Sequence, residues 1–131
     1  MAAAKDRPLS PHLTIWKWGP HMLVSILHRI TGGALTVVGL VLLTWWLMSV
    51  ADGPGAYANL TDWASHWAGL VILIGVTWAF FQHLFSGVRH LMMDSGQGFE
   101  ITANKKGAML TIIASIAATA AIWAYVLGVR Q

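Results

Sequence analysis

Residues 63–88 read WASHWAGLVILIGVTWAFFQHLFSGV, 26 consecutive positions without an Asp, Glu, Lys or Arg. A hydrocarbon core about 30 Å thick takes about 20 helical residues to cross, so this stretch predicts a transmembrane helix. Two further runs have the same character: 22 residues from Ile30 to Ala51 and 23 from Gly107 to Val129. Between them, Ala51 to Asp62 contains Asp52-Gly53-Pro54-Gly55, a turn composition. Asp94 to Lys106 contains Gly96, Gly98, Glu100 and Lys105. The expected fold is an all-α membrane protein, one anchor domain over 1–131. Its three transmembrane helices, about 24–50, 64–93 and 107–129, form an up-down-up bundle. Residues 1–23 precede them as an interfacial tail in which Pro8, Pro11 and Pro20 forbid one continuous helix. Trp16 and Trp18 in that tail suit a membrane–water boundary.

Composition leads to the same class. Of 131 residues, 56% are hydrophobic and 10% charged, against roughly 25% charged in a soluble domain. Mean hydropathy is +0.62. These values exclude an ordinary soluble domain and a disordered chain. The net charge of +3 comes from scattered Lys and Arg, which argues against nucleic acid as a partner and leaves membrane lipid as the surroundings. The absence of Cys excludes disulfides, Cys-ligated iron–sulfur clusters and Cys-based zinc sites.

All of the eight Lys and Arg except Arg130 fall in the tail, near the start of the first span, near the end of the second, or in the second loop. The positive-inside rule then puts the N-terminus in the cytoplasm. The first apolar run exceeds the ~7–15 residues of a signal-peptide core. The short tail, poor in Arg and Ser, points to a multi-pass protein of a bacterial inner membrane rather than a mitochondrial one.

Polar residues at membrane depth are costly and tend to be functional. Ser25, His28 and Arg29 open the first span, and Ser25 and Arg29, four apart, share a face. His83, His90 and Asp94 are spaced seven and four apart and form one stripe on the second span, with Ser86, Gly87 and Arg89 among them. Antiparallel spans bring both groups to one end. His83 lies roughly 16 Å deeper than Asp94 at 1.5 Å per residue.

Two readings of His83 stand side by side: a helix–helix hydrogen bond, or an axial ligand of haem iron, since imidazole suits iron. Gly87, one turn along the same face, would leave room for a porphyrin. Arg29, Arg89, His28 and His90 would meet its propionates. No second His on a facing helix matches the depth of His83, so a bis-His site calls for a second chain. Ser25 and Arg29 likewise have two readings, a packing residue with a snorkelling anchor, or donors to the carbonyls of a quinone whose isoprenoid tail stays in lipid. Trp45, Trp46, Trp63, Trp67 and Trp123 fit interfacial belts. Ser115, Ala117, Ala118, Ala120 and Ala121 are small residues suited to close helix packing. The third span shows almost no polar path.

The segments Arg7-Pro8-Leu9-Ser10-Pro11-His12-Leu13, Ser25-Ile26-Leu27-His28-Arg29-Ile30-Thr31-Gly32 and His83-Leu84-Phe85-Ser86-Gly87-Val88-Arg89-His90-Leu91-Met92-Met93-Asp94 together resemble the succinate dehydrogenase cytochrome b556 family, the large membrane anchor of respiratory complex II. One departure is Trp16, where many relatives carry Tyr. The resemblance implies that His83 ligates the iron of haem b, with the second ligand from a sister anchor subunit. It implies that Ser25 and Arg29 line the ubiquinone site, that His28 lies by a propionate, and that Arg89, His90 and Gly87 belong to the haem surroundings. Asp94 is in the motif, with a proton relay as its candidate role.

The implied partners are the sister anchor, an iron–sulfur subunit and a flavoprotein subunit. The chain has no flavin motif and no Cys, so it cannot oxidise succinate itself. Its implied part is to dock the iron–sulfur subunit and help form the site where quinone is reduced. Two alternatives stand beside this: a fumarate reductase anchor, and a haem-free structural anchor in which the His residues only pack.

Overall fold

The computed structural model describes residues 17–129, which excludes the Arg7–Leu13 motif, the tail charges Lys5 and Arg7, Trp16 and Arg130. Three helices are long and apolar enough to cross a membrane: Pro20–Ala51, Trp67–Asp94 and Ile101–Val129. The first consists of α1 (Pro20–Ala34), one π-helical turn (Leu35–Gly39) and α2 (Leu40–Ala51). A shorter helix α3 (Pro54–Ser65) precedes α4 (Trp67–Asp94) and α5 (Ile101–Val129).

Three boundaries differ from the sequence expectation, each for a local reason. The first helix begins at Pro20 rather than near residue 24, because proline is tolerated at the first helical position, where its missing N–H has no intrahelical partner. The expected turn after Ala51 shrinks to two residues. Gly53 takes φ +100°, open to glycine, and Pro54 starts α3. His66, extended at ψ 147°, ends α3, and its Nδ1 accepts the Ala68 N–H at 3.3 Å to cap α4. The last helix begins at Ile101, six residues early. Gly96 (φ +86°) and Gly98 (φ +77°) complete the turn, so Asn104, Lys105 and Lys106 sit on the first turns of α5 instead of in a loop.

Contacts fix the order of the bundle. His28 and Thr31 of α1 meet His90 and His83 of α4, so those helices are antiparallel. Arg89 meets Asn104 and Gln82 meets Ser115, so α4 and α5 are antiparallel too. α1 packs on both α4 and α5, whereas α2 approaches neither and rests on α3, with Trp45 edge-on to Trp63 at 4.9 Å. The change of partner comes at the π turn, whose extra residue rotates the helix beyond it.

The interior is polar and the exterior apolar. Among the described residues the buried side chains are Thr31, Ser49, Gln82, Ser86, Thr111, Ser115 and Thr119, with only Val24, Ala79 and Ala108 as apolar companions. Large hydrophobic side chains face outward along every span. In water this arrangement would be untenable, but lipid solvates the outer face and leaves small and hydrogen-bonding residues to hold the helices together. Of the small residues expected to pack α5, Ser115 is buried and Ala118 half-buried, but Ala117, Ala120 and Ala121 are exposed. The packing face is Ala108, Thr111, Ser115 and Thr119.

Candidate functional site

The first turns of α1 and the last turns of α4 place three imidazoles together. The rings of His28 and His83 stack at 4.0 Å between centroids, 8° from parallel. His90 lies 5.1 Å from His28 between ring centroids, tilted by 50°. His83 Nδ1 is 3.0 Å from the His28 carbonyl oxygen and 3.4 Å from Thr31 Oγ1. The Thr31 hydroxyl donates its own proton to the Leu27 carbonyl at 2.7 Å.

This bookkeeping decides the tautomer. A carbonyl can only accept, and the Thr31 proton is already committed. Nδ1 of His83 must therefore carry hydrogen and donate it. In the neutral ring Nε2 then keeps its lone pair, the form in which imidazole binds a metal. This is the helix–helix hydrogen bond of the first reading, and it is compatible with the second, because such an outer bond also orients a ligating histidine.

Gly32 matters in the same place. A Cβ there would stand 2.9 Å from His83 Cε1 and 3.4 Å from Nδ1, so only glycine lets α1 approach the ring this closely. Gly87, singled out from the sequence for the room it leaves, instead lies beside His28. A Cβ there would meet His28 Cε1 at an ordinary 3.8 Å. Nδ1 of His28 and Nδ1 of His21 are buried without a hydrogen-bond partner among the described residues. No trio of His, Cys, Asp or Glu among the described residues is placed to hold a bare metal ion. One correctly protonated imidazole beside a glycine, with an unsatisfied imidazole next to it, fits a haem held by a single ligand from this chain.

A cavity of about 390 Å³ opens beside the imidazoles. Ser25 and Arg29 of α1 form one wall; Arg89, His90 and Met93 of α4 and Asn104 of α5 form the other. His21, Met22 and Ile26 complete it. Two guanidinium groups and no carboxylate line it, so it favours an electron-rich, hydrogen-bond-accepting guest. Arg89 donates to Asn104 Oδ1 at 2.5 Å. Asp94 is exposed, lies one turn beyond His90, and does not line the cavity.

The structure thus brings Ser25, Arg29, Arg89 and His90 to one cavity and His28, His83 and Gly87 to the adjoining contact. Sequence reasoning missed Thr31, Gly32, His21 and Asn104. Asn104 was hidden because the start of α5 was placed after it. It also missed the fully buried Gln82, which bridges α4 and α5. Gln82 Nε2 donates to Ser86 Oγ at 3.2 Å. The Ser115 hydroxyl lies 2.8 Å from both Gln82 Oε1 and the Ile112 carbonyl. A glutamine between two spans is a signal in its own right, since an amide in hydrocarbon needs a partner.

Comparison with known proteins gives a consistent result. Residues 3–122 match the family described as succinate dehydrogenase/fumarate reductase transmembrane subunit. The chain is 45% identical over 112 residues to the succinate dehydrogenase cytochrome b556 subunit of Paracoccus denitrificans, covering 85% of each chain. It is 37% identical over 117 residues to the cytochrome b556 subunit of Rickettsia felis, covering 89% of this chain and 90% of that one. It is 32% identical over 117 residues to the mitochondrial succinate dehydrogenase cytochrome b560 subunit of Sus scrofa, covering 85% of this chain and 66% of that one. A match spanning nearly the whole length, on a chain with three helices long and apolar enough to cross a membrane, makes this protein a member of the succinate dehydrogenase/fumarate reductase transmembrane subunit family.

Proposed function

We propose that the chain is a membrane anchor of a succinate:quinone oxidoreductase. In this reading it contributes one axial ligand of haem b, His83, and one wall of the ubiquinone site, Ser25 and Arg29. The observation that carries the proposal is the hydrogen bond from His83 Nδ1 to the His28 carbonyl, which leaves Nε2 as the only nitrogen able to bind iron. The second ligand would come from a sister anchor, since His28 stacks on the face of the His83 ring rather than lying in its plane, where the Nε2 lone pair points.

Haem b, when bound, supplies a one-electron centre. The rest is work for this chain's own residues. The Thr31–Gly32 segment and the His28 carbonyl hold the His83 ring in one orientation. His28, with Nδ1 unsatisfied, and His90 offer hydrogen bonds to carboxylate groups at the haem edge. In the adjoining cavity the Ser25 hydroxyl and the Arg29 guanidinium donate to quinone carbonyls, and the two positive charges favour the reduced, more electron-rich oxygen. Arg89 is anchored by Asn104 and adds its charge from the far wall. A proton relay through Asp94 would reach this cavity by way of His90, one turn away on α4.

With most cations at the Ser25–His90 end, that end faces the cytoplasm and the iron–sulfur subunit docks there. The bacterial relatives from Paracoccus denitrificans and Rickettsia felis support a bacterial inner membrane as its place. The family includes fumarate reductase anchors, and quinone preference measured in membranes separates the two directions.

The test is a dithionite-reduced minus oxidised spectrum of the purified complex beside its His83→Leu counterpart. A b-type α-band lost in the variant supports the reading. A wild-type complex without the band, after haem supply, would reduce the chain to a structural anchor.

A further inference from the structure

We propose that a second cavity, between the end of α4 and the start of α5, binds the isoprenoid tail of the quinone whose head occupies the Ser25–Arg29 cavity. This rests on the quinone reading above and revises the expectation that the tail stays in lipid. The second cavity measures about 550 Å³. It shares Arg89, Met93 and Asn104 with the head cavity, so the two adjoin along these three side chains. Beyond that shared edge its walls turn apolar, with Phe85 and Val88 on α4 and Leu110 and Ala114 on α5.

The polarity therefore falls in one direction, from two guanidinium groups to aliphatic and aromatic carbon, as it does along a prenylated quinone. The direction in space also fits. From Asn104 to Ala114 the wall descends roughly 15 Å along α5, from the polar end toward the middle of the span. Arg89 forms the threshold. Its guanidinium is held by Asn104, and its Cδ and Nε lie against Gly107, 3.7 and 3.6 Å from where a Cβ would be. Arg89 thus stands on the edge that both cavities share, with its stem against Gly107 on the tail side.

α4 and α5 are joined below the cavity by Gln82 and Ser115, which keeps the slot from widening. A prenyl chain suits an apolar slot of this kind, and the shared edge with the head cavity favours it over the acyl chain of an independent phospholipid.

The experiment uses the assembled complex, with succinate as donor and two acceptors, a tailless dimethoxybenzoquinone and a long-tailed ubiquinone. In wild type the KM is lower for the long-tailed quinone. Ala114→Phe, at the deep end and away from the head cavity, raises the KM for the long-tailed quinone about tenfold, the loss expected if roughly two methylenes leave apolar contact. It leaves the KM for the tailless quinone unchanged. Leu110→Phe on the same wall repeats the effect and stands in if Ala114→Phe does not assemble, with haem content and succinate oxidation by an artificial acceptor as the assembly controls. Equal KM values for both quinones in wild type, or a variant that leaves both unchanged, overturns the proposal; loss of co-purifying phospholipid in that second case assigns the cavity to a lipid. A variant that raises both values equally also overturns it, because the cavity would then serve the head. Arg29→Leu keeps the two readings apart: unchanged reduction of the tailless quinone there defeats the head site itself, whereas its loss, with Ala114→Phe silent, defeats only the tail site.

Discussion

Gly32→Ala is the sharpest perturbation this structure offers, because it adds one methyl group against the edge of the His83 ring. The new Cβ would stand 2.9 Å from Cε1, about 0.5 Å inside the 3.4 Å at which ordinary contact begins. The ring cannot turn aside toward His28, which is stacked on that face at 4.0 Å. It must slide away from α1. The bond from Nδ1 to the His28 carbonyl is 3.0 Å, so a retreat of about 0.5 Å along it brings it to the limit of a hydrogen bond. Overpacking of this kind costs about 1–3 kcal/mol. Loss of the partner that orients a metal-binding histidine lowers metal affinity by about 10- to 100-fold.

The assay is haem content per assembled complex, followed by titration of haem into the depleted complex. The control is built into the next residue: a Cβ at Gly33 meets nothing within 4 Å, so Gly33→Ala is expected to bind haem as wild type does. A Gly32→Ala complex with full haem, an unshifted α-band and an affinity within twofold of the Gly33→Ala complex would refute the reasoning that α1 positions the ring.

Three other expectations follow from single contacts. Arg29→Leu is expected to abolish quinone reduction while succinate oxidation with an artificial acceptor persists; loss of both activities would point to failed assembly instead. Asn104→Leu releases Arg89 from its 2.5 Å bond and is expected to raise the KM for quinone severalfold while the haem band stays in place, and an unchanged KM would mean that Arg89 does not serve the cavity. Ser115→Ala removes the hydroxyl that satisfies Gln82 Oε1 and is expected to cost about 0.6–1.7 kcal/mol in the unfolding equilibrium of the chain in detergent. Adding Gln82→Leu should recover part of that loss, since no buried amide is then left unsatisfied, and strictly additive costs would dismiss the bridge.

Much of the site could be read from the chain because its polar residues have few places to go. Ser25, His28, Arg29, His83, Arg89 and His90 stand out against apolar neighbours, and antiparallel spans alone bring them to one end. The helix boundaries were less legible. Pro20, Gly53 and Gly98 are all turn-formers by composition, yet Pro20 begins a helix, and the glycines make turns so short that helix occupies most of both expected loops. Asn104 was misplaced for this reason. The bridge from Gln82 to Ser115 went unseen because serine and threonine on α5 look apolar in an average over the span.

The sequence by itself determined that this is a three-span membrane protein with its candidate site at one end. Those properties are sums over local residues: hydropathy over about 20 positions, and spacing by 3.6 per turn. Only the tertiary structure decided which nitrogen of His83 is free, that Gly32 rather than Gly87 presses on its ring, and that two cavities meet at Arg89. These depend on how each helix is rotated about its axis. Thr31 and His83 are 52 residues apart in the chain, and their approach follows from the packing of α1 on α4, which ends where a single π turn redirects the helix. Rotation is set by the sum of contacts between spans, and no window along one span contains it.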